Sequence, residues 1–161
     1  MINTRQVRGR RKLRFHDFDE LLVDVRRLHA GPHRQLGNWS LAQIAKHLGR
    51  VMHGSIDGSP SGDAVQFPLL SRIVGRLILR PFLLNVAVPA GIKPPDAVRR
   101  EFMFDQAEFD DALACLETGV ARLRQETTRV IHPLLGRLSP AQWDKFHLRH
   151  SEMHLGFIVP Q

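Results

Sequence analysis

The sequence predicts an all-α protein, and three observations predict it. In four stretches apolar residues recur at i, i+3, i+4 and i+7, the period of a helix that buries one face. Two of those stretches open on Ser-x-x-Gln, at Ser40–Gln43 and Ser139–Gln142, the reciprocal pairing of a capping box. No stretch shows the sustained alternation of a half-buried strand. The 161 residues suffice for one domain with a real core. Four long amphipathic helices then make an up-and-down four-helix bundle, with an extra short helix and a long loop between the second and third.

The chain begins with a basic leader. Arg5, Arg8, Arg10, Arg11, Lys12 and Arg14 precede the first acid and account for most of the net charge of +7. Residues 1–14 read as a flexible leader, with residues 15–161 as the single folded domain. Such a leader can hold phosphate backbones non-specifically, so residues 5–14 are the one candidate nucleic-acid contact. The first helix runs from about Asp17 to Ala30, with Phe18, Leu21, Leu22, Val25 and Leu28 inward, and Gly31-Pro32 stops it. His29 and His33 lie at and beyond that end and read as capping residues.

The second helix follows Ser40 and extends to about Asp57. Leu41, Ile44, Ala45, Leu48 and Met52 form its buried stripe, and His47 borders that stripe and faces inward. His53, six residues later, points elsewhere, and Ser55 and Asp57 end the helix without an assigned role. Residues 59–68 are loop. Leu69, Leu70, Ile73, Val74, Leu77 and Ile78 then share one face, Arg72, Arg76 and Arg80 the other, and Pro81 closes the segment. This reads as an ordinary short helix packed by its apolar face with arginines in solvent, in preference to a membrane-surface helix. Pro89 to Asp96 is a loop across one end of the bundle. The next helix runs from Asp105 or Gln106 to Thr127, burying Phe109, Leu113, Leu116, Val120 and Leu123, with Gly119 at a close contact and Cys115 a small buried hydrophobe. His132 lies in the following link and carries no assigned role.

The last helix, from Ser139 to about Ile158, carries the chemistry. His147, His150 and His154 lie at intervals of three and four, within roughly 60° of one another on one face. The one-turn spacing of His150 and His154 lets two imidazoles bind a single metal ion. His47, inward on a helix that shares the core, is the third ligand, because bundles build metal sites from facing helices. Three neutral imidazoles leave a divalent cation its full charge and open positions, the pattern of a catalytic centre, and suit zinc, nickel or iron(II). His147 is a candidate fourth ligand, a donor of a hydrogen bond to a ligand, or a general base, or else a rim residue. Glu152 follows His150 by two residues, about 200° round the helix, so it faces outward and the motif is not that of a zincin.

The apolar runs are all far shorter than ~18 residues, so no membrane span is expected, and no secretory segment is evident. Cys115, the lone cysteine, rules out an internal disulfide and a thiolate zinc site. The expected location is the cytoplasm.

Four blocks carry a family resemblance: G-N-W-S-L-A-Q-I-A-K-H-L from Gly37, S-I-D-G from Ser55, P-A-G-I-K-P from Pro89, and Trp143 with H-L-R-H-S-E-M-H-L-G-F from His147. Together they resemble the DUF1569 family of the DinB-like superfamily, over nearly the whole chain from about Arg14. The resemblance implies a four-helix bundle whose metal is held by one histidine of the second helix and a His-x-x-x-His pair of the last, here His47, His150 and His154. It also implies relatives that are metal-dependent thiol S-transferases, or a mycothiol-dependent maleylpyruvate isomerase. After His154 the chain departs from the superfamily, with Leu155-Gly156-Phe157 in place of an H-R-G-Q-type ending.

Three classes of function are consistent with these features. One is a metal-dependent hydrolase or thiol S-transferase acting on a small molecule, with a low-molecular-weight thiol as partner in the second case. Another is a non-catalytic metal-containing binding or scaffold bundle. The third is a nucleic-acid-associated protein using the basic leader. A homodimer fits any of them.

Overall fold

The computed structural model describes residues 2–58, 67–91 and 106–161, and these are mostly helical, with very little sheet. Helix α1 (Phe18–Ala30) starts where the Asp17 side chain accepts from Glu20 N at 2.9 Å. Helix α2 (Leu41–Asp57) starts on the Ser40–Gln43 capping box. Gln43 N donates to Ser40 Oγ at 3.2 Å and Ser40 N to Gln43 Oε1 at 2.8 Å, so two orphan donors are satisfied together. Each helix buries the stripe that its periodicity marks, and these stripes merge with Ala112, Leu116, Val120, Leu123, Leu148 and Leu155 into one core.

Two helices beyond α2 complete that core. The one from Phe109 to Gln125 begins after Glu108, with residues 106–108 outside it, later than the sequence suggests. The last helix, Pro140–Leu155, starts on its own capping box at Ser139 and Gln142. It stops at Leu155 rather than Ile158, because residues 158–160 leave to form a strand.

The helix of residues 109–125 packs along α2 more extensively than any other pair of elements does, and glycine permits it. A Cβ on Gly49 would stand 2.7 Å from the Cys115 carbonyl carbon, and one on Gly119 would stand 3.1 Å from Met52 Cβ. The first contact is with backbone, which cannot rotate aside. Gly49→Ala is therefore expected to destabilise by about 1–3 kcal/mol despite the better helix propensity of alanine. A urea titration should show a lower midpoint at unchanged slope.

The small sheet has no signal of alternation, since each strand has three residues. Strand β1 (His33–Gln35) pairs antiparallel with β2 (Ile158–Pro160), with Arg34 opposite Val159. Leu36 N to Phe157 O at 2.8 Å and Gln161 N to Pro32 O at 2.9 Å extend the pairing at both ends.

The segment after the loop overturns two expectations. Helix α3 (Leu69–Val74) runs without a break through a π-helical turn (Gly75–Leu79) into α4 (Arg80–Asn85), so Pro81 does not close it. Pro81 lies in the first turn of α4, where a proline is tolerated, and the wider π turn, with Arg80 N bonded to Gly75 O, carries the chain into it. The apolar face is also not the packed one. Gly75 is the buried residue, against Leu134, while Leu70 and Leu77 are each 73% exposed. Only Leu83 and Leu84 of α4 reach a core, a second one with Leu135, Leu138 and Trp143. The expected loop of residues 59–68 lies outside the described residues up to 66, and the Pro89–Asp96 loop lies outside them beyond Gly91. No helix among the described residues is long and apolar enough to cross a membrane.

Several basic residues near the start of the chain are tied to the body. Arg11 forms a two-point ion pair with Asp24, at 2.8 and 2.6 Å, and its N–H donates to Gly156 O at 2.9 Å. Arg10 donates to Met153 O at 2.8 Å and lies 4.0 Å over the Phe157 ring. Arg14 donates to the carbonyls of Asn85 and Val86.

Candidate metal centre

The helix of residues 109–125 is hereafter α5 and that of residues 140–155 is α6. Helix α2 presents His47 from beside its buried stripe, and α6 presents His150 and His154 one turn apart. The three rings meet edge to face. Ring centres are 5.2 Å apart for His47 and His150, 4.7 Å for His47 and His154, and 4.6 Å for His150 and His154. One nitrogen from each ring lies within 4.8 Å of the others, and the Nε2 atoms of His150 and His154 are 3.0 Å apart. Ligands ~2.1 Å from a common ion stand ~3.0–3.4 Å from one another, so the α6 pair already has the spacing of adjacent ligands.

The protonation of the cluster agrees with that geometry. Burial, and then the neighbouring imidazoles, push His150 and His154 well below the ordinary histidine range. Both are therefore neutral near pH 7, the form whose lone pair binds a cation. His150 Nδ1 is buried with no hydrogen-bond partner. A ligating imidazole usually donates that N–H to an orienting acceptor. Here Phe146, stacked at 5.7 Å and 17°, holds the ring by packing instead.

Trp39 is the residue that sequence reasoning passed over. Its indole stacks on His154 at 5.2 Å and 9°, and tilts against His47 at 4.9 Å. The available signal was positional, since Trp39 directly precedes the Ser40 cap of the helix that carries His47. Asn38 beside it is pinned by Ile2, whose N–H donates to Asn38 Oδ1 at 2.7 Å and whose carbonyl accepts from Asn38 Nδ2 at 3.0 Å.

The remaining histidine of the last helix is not brought into the cluster. His147 is 1% exposed, and its Nε2 lies 3.1 Å from Ser55 Oγ. The Ser55 hydroxyl donates to Met52 O at 2.7 Å, so the proton between the pair belongs to His147 Nε2. Burial, and then the charges of Arg129 and His132, bring His147 down to about 3, so it is neutral. Its ring stacks on Trp143 at 5.4 Å and 25°. Of the residues left without a role, Ser55 thus partners His147, and Asp57 pairs with Arg122 at 2.6 and 2.7 Å at the surface. His53 turns to α5, with Nε2 3.3 Å from Cys115 O.

Glu152 corrects an expectation. It faces neither solvent nor the cluster but is 8% exposed, accepting from Phe15 N at 2.6 Å and pairing with Arg149 at 3.0 Å. Arg149 in turn donates to Phe15 O at 2.5 Å. The face of α6 opposite the histidines is covered by residues 10–15, and their backbone needs these two charged partners.

A family model described as "Protein of unknown function (DUF1569)" matches residues 7–161. No curated protein and no solved structure matches the chain.

Proposed function

We propose, for a chain that belongs to the DUF1569 family, that His47, His150 and His154 hold one divalent metal ion, zinc, nickel or iron(II), on a DinB-like four-helix scaffold formed by α1, α2, α5 and α6. The observation that carries this is the approach of two neutral Nε2 atoms to 3.0 Å, with a third imidazole facing them from another helix. When bound, such an ion supplies Lewis-acid polarisation and acidifies a coordinated water or thiol, which suits a metal-dependent hydrolase or thiol S-transferase acting on a small molecule.

The chain's own residues have distinct parts in that reading. His47, His150 and His154 donate lone pairs. Trp39 covers one face of the His154 ring and holds it in place by stacking. His147 is a positioning residue: by donating Nε2–H to Ser55 it fixes α6 against α2 and so sets the distance between His47 and the His150–His154 pair.

The test is elemental mass spectrometry on tag-free protein. About one equivalent is expected in the wild type, and near none in His47→Ala and His154→Ala. A wild type that stays empty after reconstitution with zinc, nickel and iron(II) would end the proposal.

A second reading, a metal-containing bundle without turnover, draws on the aromatic packing of Trp39 on His154 and Phe146 on His150, which walls the nitrogens on two sides. Cobalt(II)-substituted protein separates the two. A visible spectrum that shifts with a small thiol or azide marks an open position and favours the enzyme, whereas an indifferent spectrum favours the scaffold.

A further inference from the structure

Among the described residues, the helical run from Leu69 to Asn85 presents an apolar face that no other element covers and that the metal centre does not use. Leu69 is 71% exposed, Leu70 and Leu77 73% each and Ile78 63%, with Ile73 and Phe82 also exposed. Soluble monomers rarely leave so continuous a stripe of large aliphatic side chains in water. The opposite side is occupied, because Gly75 lies against the Leu134 carbonyl and Arg80 donates to Gln142 Oε1 at 2.7 Å. The run is therefore docked by a narrow edge and displays its apolar face.

Charge identifies what that face meets. Residues 67–91 contain Arg72, Arg76 and Arg80 and no acid; Arg72 and Arg76 are exposed, with the Arg76 side chain passing along Gly136 at the edge of the body. A second copy of this chain is a poor match. A two-fold contact sets a face against itself, so Arg72 and Arg76 would border the same arginines with no carboxylate in the segment to neutralise them. A partner that accepts aliphatic side chains and offers negative charge along the flanks is the interface of an anionic bilayer.

We propose that Leu69–Asn85 is a membrane-surface docking helix. It lies in the plane of an anionic bilayer, with Leu69, Leu70, Ile73, Leu77 and Ile78 among the acyl chains and Arg72 and Arg76 at the headgroups. The two arginines supply the preference for anionic lipid, and the aliphatic face supplies the affinity that survives salt. This surface is independent of whether His47, His150 and His154 hold a metal.

Co-sedimentation of the full chain with vesicles of phosphatidylcholine alone, or mixed with phosphatidylglycerol, tests it. Binding is expected to the mixed vesicles and weakly or not at all to the neutral ones. Leu70→Glu/Leu77→Glu should weaken it at least about tenfold, and Arg72→Gln/Arg76→Gln by about fivefold per arginine. Circular dichroism should show both variants folded, because the altered side chains are exposed. Binding that survives the leucine changes, or that Arg5→Gln/Arg8→Gln abolishes, would overturn the proposal. So would an absence of vesicle binding beside a wild-type dimer that Leu70→Glu/Leu77→Glu converts to monomer by light scattering, which would assign the face to a second copy.

Discussion

Acidification below pH 6.5 should unfold this protein steeply. His132 is brought down to about 4 by burial, and His147 to about 3. Folding keeps both neutral, while the unfolded chain takes up their protons near the ordinary value of about 6.5. The unfolded state therefore binds more protons as pH falls, and each group removes about 1.4 kcal/mol per pH unit until its folded value is reached. By pH 4.5 the two together cost about 5 kcal/mol, comparable to the whole stability of a small domain. His150 and His154 shift in the same direction and add to the loss. Glu152 works the other way, because burial raises its carboxyl and protonation relieves the folded state. Chemical denaturation at a series of pH values should show stability falling from about pH 6.5 downward. His147→Gln should flatten that slope while lowering the plateau at pH 7. A flat profile from pH 7 to pH 4.5 would mean that the buried imidazoles are hydrated.

Glu152→Ala is expected to cost about 3 kcal/mol or more, an unusual size for a residue outside the aliphatic core. It leaves the Arg149 guanidinium buried without its carboxylate and the Phe15 N–H without its acceptor. Glu152→Gln retains an oxygen for Phe15 and should cost less. Thermal melts of the two variants beside the wild type decide it, and equal melting temperatures for all three would show that water replaces the carboxylate.

The residues that were legible in the sequence were those whose role is set within one helix. Ser40 with Gln43 and Ser139 with Gln142 form their caps because both partners lie within four residues. His150 and His154 share a face because they lie one turn apart, and His47 meets them because it borders the inward stripe of α2. Gly119 announced its close contact by its cost within a helix, and Gly49, inside α2, carries the same cost and lies even closer, against the Cys115 backbone. The illegible features depend on segments that arrive from far away. Glu152 turns inward because Phe15, remote in sequence, brings a backbone N–H to it. The three-residue strands pair His33–Gln35 with Ile158–Pro160, too short for any pattern of alternation. The run after Pro68 misled because its periodicity marks an apolar face without saying that the protein buries it.

The π turn at Gly75–Leu79 puts the two halves of that helix out of phase. A π turn takes up one residue more than an α turn, a rotation of about 100° between the helical turns on its two sides. Leu83 and Leu84 thereby point into the second core while Leu70 and Leu77 point away from it. A single-residue deletion within Gly75–Leu79 would restore one continuous α-helix and cancel that offset. Either Leu83 and Leu84 leave their core, or the aliphatic face swings round toward the body of the protein. The extra residue is what lets one helix serve two environments.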